Sequence, residues 1–150
     1  MKKLISTKTA GIVLLALFGL LVAFHIMMLS GLLPSNVVWG GQAGSSPSSL
    51  RTLETISLIL TVLFACVVAA RIGYINVGRF SKAINVLLWI IFAYLLLNTA
   101  GNLASSTSLE TRLFTPLTLV AALLVCRLAI EKNTTGGQAK IEATYQAVKN

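Results

Sequence analysis

Four uninterrupted apolar runs, Ala10 to Leu33, Leu53 to Ala70, Ala83 to Ala104 and Leu113 to Ile130, decide what this chain can fold into. Their lengths of 24, 18, 22 and 18 residues match the ~20 residues that a helix rising ~1.5 Å per residue needs to cross a hydrocarbon core about 30 Å thick. In lipid such a run has to satisfy its own backbone N–H and C=O groups, and a helix does so within one segment. The sequence therefore predicts an all-α integral membrane four-helix bundle, with spans near 10–33, 53–72, 83–104 and 108–130 in a domain of residues 1–132. A polar tail, 133–150, follows and has little apolar surface to bury. Charged residues make up only 11% of the chain, well below the quarter usual in a soluble domain.

The net charge is +8, but its placement argues against nucleic acid as a partner, because the basic residues flank spans and form no single patch. Lys2, Lys3 and Lys8 precede the first span, Arg71, Arg79 and Lys82 separate the second from the third, and Arg127, Lys132, Lys140 and Lys149 mark the end of the fourth. The other two connectors hold only Arg51 with Glu54, and Glu110 with Arg112. The positive-inside rule then places both termini in the cytoplasm, in a bacterial inner membrane. Met1-Lys2-Lys3 before an apolar run also matches the start of a secretory signal. The run is too long for one and no A-x-A site follows it, so an uncleaved first helix is expected. Cys66 and Cys126 fall inside spans and form no C-x-x-C pair, so they read as small hydrophobes and not as a disulfide-exchange centre.

The connector Pro34 to Thr52 changes character halfway, from Val37-Val38-Trp39 to a Gly- and Ser-rich stretch beginning at Gly40-Gly41. Trp39 is expected either to anchor at the outer interface or to cover the mouth of the bundle. Thr107-Ser108-Leu109-Glu110 matches a capping box. A helix starting there encloses Pro116 and should kink. A start capped by Thr115 would leave a helix only about 22 Å long, so the longer helix is the expectation.

Candidate chemistry gathers toward the predicted outer half. His25, the single histidine, is placed about 12 Å inside the first span. There a neutral ring with a hydrogen-bond partner costs less than an imidazolium; proton handling and metal ligation are the sharper alternatives. Tyr94, Asn98 and Asn102 recur at four-residue steps and make one face of the third span polar, and polar groups in hydrocarbon need partners. Glu54 and Glu110 are read either as interfacial charges near helix N-termini or as members of an outward-facing polar cup. No carboxylate is placed at mid-membrane, which weakens a comparison with small multidrug exporters. No catalytic set, metal motif or cofactor fingerprint is present. Ser57, Thr61, Ala65, Ala69 and Gly73 form a strip of small residues along the second span, suited to close packing against a helix of the bundle, a membrane partner or a second copy of the chain.

Asn36-Val37-Val38-Trp39-Gly40-Gly41, Asn98-Thr99-Ala100-Gly101-Asn102 and Thr115-Pro116-Leu117-Thr118 together resemble a group of small four-span bacterial membrane proteins of uncharacterised function, over about His25 to Ile130. The resemblance implies that the loop, the amides of the third span and the start of the fourth belong to one recurring arrangement; it implies no activity. The resulting expectation is a polar pocket of His25, Trp39, Glu54, Asn98, Asn102, Glu110 and Thr115 that binds a small molecule, a lipid moiety or an ion, with transport as one use of it. The alternative is a non-catalytic accessory or structural subunit of a membrane complex.

Overall fold

The computed structural model describes residues 5–33 and 47–131. It is an all-α four-helix bundle of α1 (Thr7–Leu29), α2 (Pro47–Arg71), α3 (Ser81–Leu103) and α4 (Thr115–Ile130), with no strand among the described residues. All four helical runs are long and apolar enough to cross a bilayer, so the chain is a multi-pass membrane protein. Trp39 and the rest of 34–46, and the tail from residue 132 onward, lie outside the described residues, and with them the choice between anchor and cover.

The helix ends follow local chemistry. Ser6 opens α1 by accepting the Thr9 amide on its hydroxyl at 3.0 Å. Gly31 closes it at φ +78°, with Gly31 N–H bonded to the Met28 carbonyl and Leu32 N–H to the Met27 carbonyl, a stop that glycine enters without a Cβ penalty. The same pair of bonds recurs after α2, where Gly73 has φ +87° and Tyr74 N–H reaches Ala69. Gly73 is therefore a helix stop and not the last member of a packing strip. α2 begins at Pro47, six residues ahead of the expected position, because Pro47 to Thr52 is helical but polar and escapes a hydropathy count. Arg51 and Glu54 consequently sit inside a helix and not at a connector.

The chain runs up and down, so the ends of α1 and α3 meet the starts of α2 and α4 at the end that holds Glu54 and Glu110, here called the acidic end. The opposite, basic end holds Arg71 and Arg127. α4 is the central element: 44% of its span is buried, against 17% for each of the others. Ala121, Ala122, Val125, Leu128 and Ala129 of α4 meet Ala10, Leu14 and Phe18 of α1 and Leu88, Ile91 and Leu95 of α3. The small-residue interface thus lies mainly on α4, where three alanines let neighbouring backbones approach. On α2, Ser57 and Thr61 face a cavity and Ala65 packs on the core, so the strip offers no single outward face.

α1 also packs closely on α2. A Cβ built on Gly11 would lie 2.2 Å from Ile72 Cγ2, and the β-branched Ile72 has little rotamer freedom to yield. Gly11→Leu should therefore cost about 1–3 kcal/mol by overpacking. Reversible unfolding in mixed micelles measures it, and an unchanged midpoint would show that the two helices separate freely.

Helical winding starts at Ser108, and Glu110–Phe114 form a π turn in which the Thr115 N–H bonds to the Glu110 carbonyl. Pro116 lacks an N–H and crowds the carbonyl four residues back in a regular α-helix. A wider turn immediately before it removes that conflict. Pro116 thus lies within one helical run from Ser108 to Ile130, and Thr115 does not cap it.

At the basic end Arg71 donates from Nε to the Leu128 carbonyl at 3.1 Å and from its guanidinium to the Glu131 carbonyl, closing the C-terminus of α4. Arg127, only 7% exposed, donates to the Ile5 carbonyl at 3.1 Å and to Glu131 Oε2 at 2.7 Å. Two arginines therefore tie the beginning of α1 and the end of α2 to the end of α4.

Candidate functional site: a four-helix cavity at the acidic end

A cavity of about 360 Å³ occupies the acidic half of the bundle, and all four helical runs line it. That volume lies within the range of small-molecule sites. α1 contributes Phe18, Phe24 and His25; α2 contributes Glu54, Ser57, Thr61 and Phe64. From α3 come Tyr94, Asn98, Gly101 and Asn102, and the fourth run adds Glu110, Phe114 and Thr118.

His25 and Glu54 join α1 to α2 at the cavity wall, with Nδ1 and Oε2 2.6 Å apart. The His25 side chain is 14% exposed and that of Glu54 3%. Neither is at the depth expected: His25 lies four residues, about 6 Å, from the end of α1, and Glu54 lies seven residues, about 10 Å, inside α2. The reading of Glu54 as an interfacial charge fails, because the helix begins a turn and a half earlier than its apolar residues imply. Glu54 is instead a buried acid partnered by an imidazole from the neighbouring helix.

Glu110 is buried as well. Its Oε2 accepts the Thr107 hydroxyl at 2.8 Å and the Ser105 hydroxyl. The reach back from Glu110 to Thr107 follows the capping-box expectation, but it is made to side-chain hydroxyls.

On the facing wall, Asn98 and Asn102 line the cavity, and among the described residues neither side-chain amide has a hydrogen-bond partner, although Asn102 is only 9% exposed. Tyr94, one turn below, meets Phe64 with ring centroids 5.2 Å apart and planes 72° apart. A second near-perpendicular pair, Phe24 and Phe114, stands at 5.0 Å and 70°. Thr99 donates to the Thr118 hydroxyl at 2.9 Å, and Thr118 donates to the Phe114 carbonyl at 2.8 Å. That bond joins the Asn98 to Asn102 stretch to the Thr115 to Thr118 stretch.

Of the residues singled out in the sequence, His25, Glu54, Asn98, Asn102 and Glu110 share this cavity. Thr115 does not line it: its hydroxyl turns back to the Glu110 carbonyl at 3.1 Å, because the π turn brings that carbonyl within reach. Thr118 takes the place expected of it. The phenylalanines that wall the cavity, Phe18, Phe24, Phe64 and Phe114, carried no signal in the sequence, since helices apolar all round give no periodicity to orient them. Among the described residues no three His, Cys, Asp or Glu side chains converge closely enough to hold a metal ion.

α2 and α3 touch least of the neighbouring helices, and Tyr94, Asn98 and Gly101 are both exposed and cavity-lining. The cavity therefore opens sideways between α2 and α3. A comparison with known proteins gives no relative from which an activity could be carried over: no family model, no curated protein and no solved structure matches the chain.

Proposed function

We propose that this chain is a bacterial inner-membrane protein whose cavity binds a small molecule, a lipid moiety or an ion. Both termini lie in the cytoplasm, and the acidic end faces outward. The observation that carries the reading is the convergence of His25, Glu54 and Glu110 on a cavity that also presents the unpartnered Asn98 and Asn102 amides. Polar groups at this depth are costly in hydrocarbon and persist where they meet a partner or line a site. The orientation rests on the basic residues around Arg71 and at the two termini. Transport would be a use of the same cavity, with release on the other side. Docking as an accessory subunit through the α2 strip gains no support, because Ser57 and Thr61 face inward.

Thiol reactivity tests the reading. A cysteine reacts as thiolate, which needs water or polar surroundings. In a Cys66→Ala, Cys126→Ala background, Asn98→Cys should react with methyl methanethiosulfonate at least ~10 times faster than its neighbour Leu97→Cys, which faces away from the cavity. No atom lies within 4 Å of a Cβ placed on Gly101 at the rim. Gly101→Phe should therefore fold, cross the mouth and remove the difference. Equal rates for Asn98→Cys and Leu97→Cys would overturn the proposal.

A further inference from the structure

We infer that the cavity's occupant is an organic cation, an ammonium group carried on an apolar body. The inference rests on the pocket reading above and names the chemistry of its ligand. Among the described residues no lysine or arginine lines the cavity, while two glutamates do. The single basic group, His25, is hydrogen-bonded to Glu54 through Nδ1. That bond matches the imidazole with one carboxyl, and Glu110 adds a second, so acidic groups outnumber basic ones in the described lining. The described lining thus carries an excess of acidic groups, and a carboxylate removed from water gains from a cation beside it.

The apolar lining carries the same preference. Phe18, Phe24, Phe64, Tyr94 and Phe114 supply five aromatic rings, and the two near-perpendicular pairs form corners between α1 and the fourth run and between α2 and α3. Ring faces attract cations and favour ammonium groups too poorly hydrated to hold their water. An inorganic ion would need a tighter shell of oxygen ligands than this cavity of about 360 Å³ provides. An anion would face two carboxylates and ring faces of the wrong sign. The carbonyl oxygens of Asn98 and Asn102 remain open to accept from an ammonium N–H or to lie against its methyl groups. The Asn102 amide has no partner among the described residues and is reached from the cavity, and the sideways opening between α2 and α3 suits a ligand that arrives from the bilayer.

The chemistry fits both a free amphiphilic ammonium and the choline-type headgroup of a lipid, and the test separates them. The full chain, purified in dodecyl maltoside, which carries no amine, is titrated by calorimetry with phenyltrimethylammonium, lysophosphatidylcholine and tert-butylbenzene. The last is the uncharged carbon isostere of the first. We expect at least one trimethylammonium probe to bind ~10-fold or more tightly than the isostere. Glu54→Gln and Glu110→Gln should each erase most of that advantage while leaving isostere binding within about twofold. Binding of phenyltrimethylammonium identifies a free cation as the occupant, and binding of lysophosphatidylcholine alone identifies a headgroup. If Glu54→Gln does not fold, Glu110→Gln carries the charge test. Equal affinity for cation and isostere overturns the inference and leaves the pocket standing. Absence of binding by all three probes also overturns it. Absence together with equal labelling of Asn98→Cys and Leu97→Cys overturns the pocket as well.

Discussion

A chain carrying Glu54→Ala is expected to lose about 2–4 kcal/mol of stability. The substitution deprives a nearly buried imidazole of its partner and leaves space where the carboxyl stood. An unsatisfied buried polar group costs about 1–3 kcal/mol, and the vacated volume adds to it. His25→Ala takes one partner from the buried acid in turn and should destabilise the bundle as well. Replacing both by apolar side chains of matching size, His25→Phe with Glu54→Leu, removes both desolvated groups at once and should cost less than the sum of His25→Phe and Glu54→Leu made singly. Unfolding in mixed micelles, run as a double-mutant cycle, measures the coupling. Strictly additive losses would mean that the 2.6 Å contact is energetically inert. The apolar double variant should nevertheless lose the cation preference, so stability and binding part company in one protein.

The second large effect belongs to the opposite end. Arg127→Leu is expected to destabilise the bundle by about 1.5–3 kcal/mol, chiefly by removing the charged hydrogen bond to the Ile5 carbonyl. The bond to Glu131 contributes less, since that carboxylate is a third exposed and solvent screens it. Arg127→Lys should recover only part of the loss, because an ammonium lacks the fork that reaches two acceptors in different directions. Hydrogen exchange at Ala10 and Gly11 reads the consequence directly: these amides should exchange faster in Arg127→Leu, as the start of α1 is no longer held to α4. Unchanged protection would show that Ser6 alone secures the helix start.

Both effects concern charges that the sequence located along the chain but not in depth. Apolar run lengths fixed the number of spans, and the common end of His25, Glu54, Asn98, Asn102 and Glu110 followed from counting alternate crossings. The burial of Glu54 did not, because Pro47 to Thr52 is helical yet polar. Arg127 was counted as a cytoplasmic flank. It turns inward because the chain ahead of α1 leaves a carbonyl within its reach. Gly73 was read as a packing residue from its four-residue spacing, whereas its positive φ makes it a stop. In each case hydropathy reported what a residue prefers, and the position of a helix end decided what it meets.

The π turn before Pro116 also has an angular consequence. Glu110 and Thr118 line the same cavity although eight residues separate them. On an unbroken α-helix eight residues carry a side chain about 80° past its starting azimuth, enough to swing the acid away from the wall that Thr118 occupies. The wider turn takes back most of that rotation, so the residue that makes Pro116 tolerable also sets the rotational phase of Glu110. Removing one residue from within that turn would place Thr118 seven residues after Glu110, about 700° along a regular α-helix and so within ~20° of the same azimuth; the acid would keep its phase, and Pro116 alone would lose the wider turn that accommodates it.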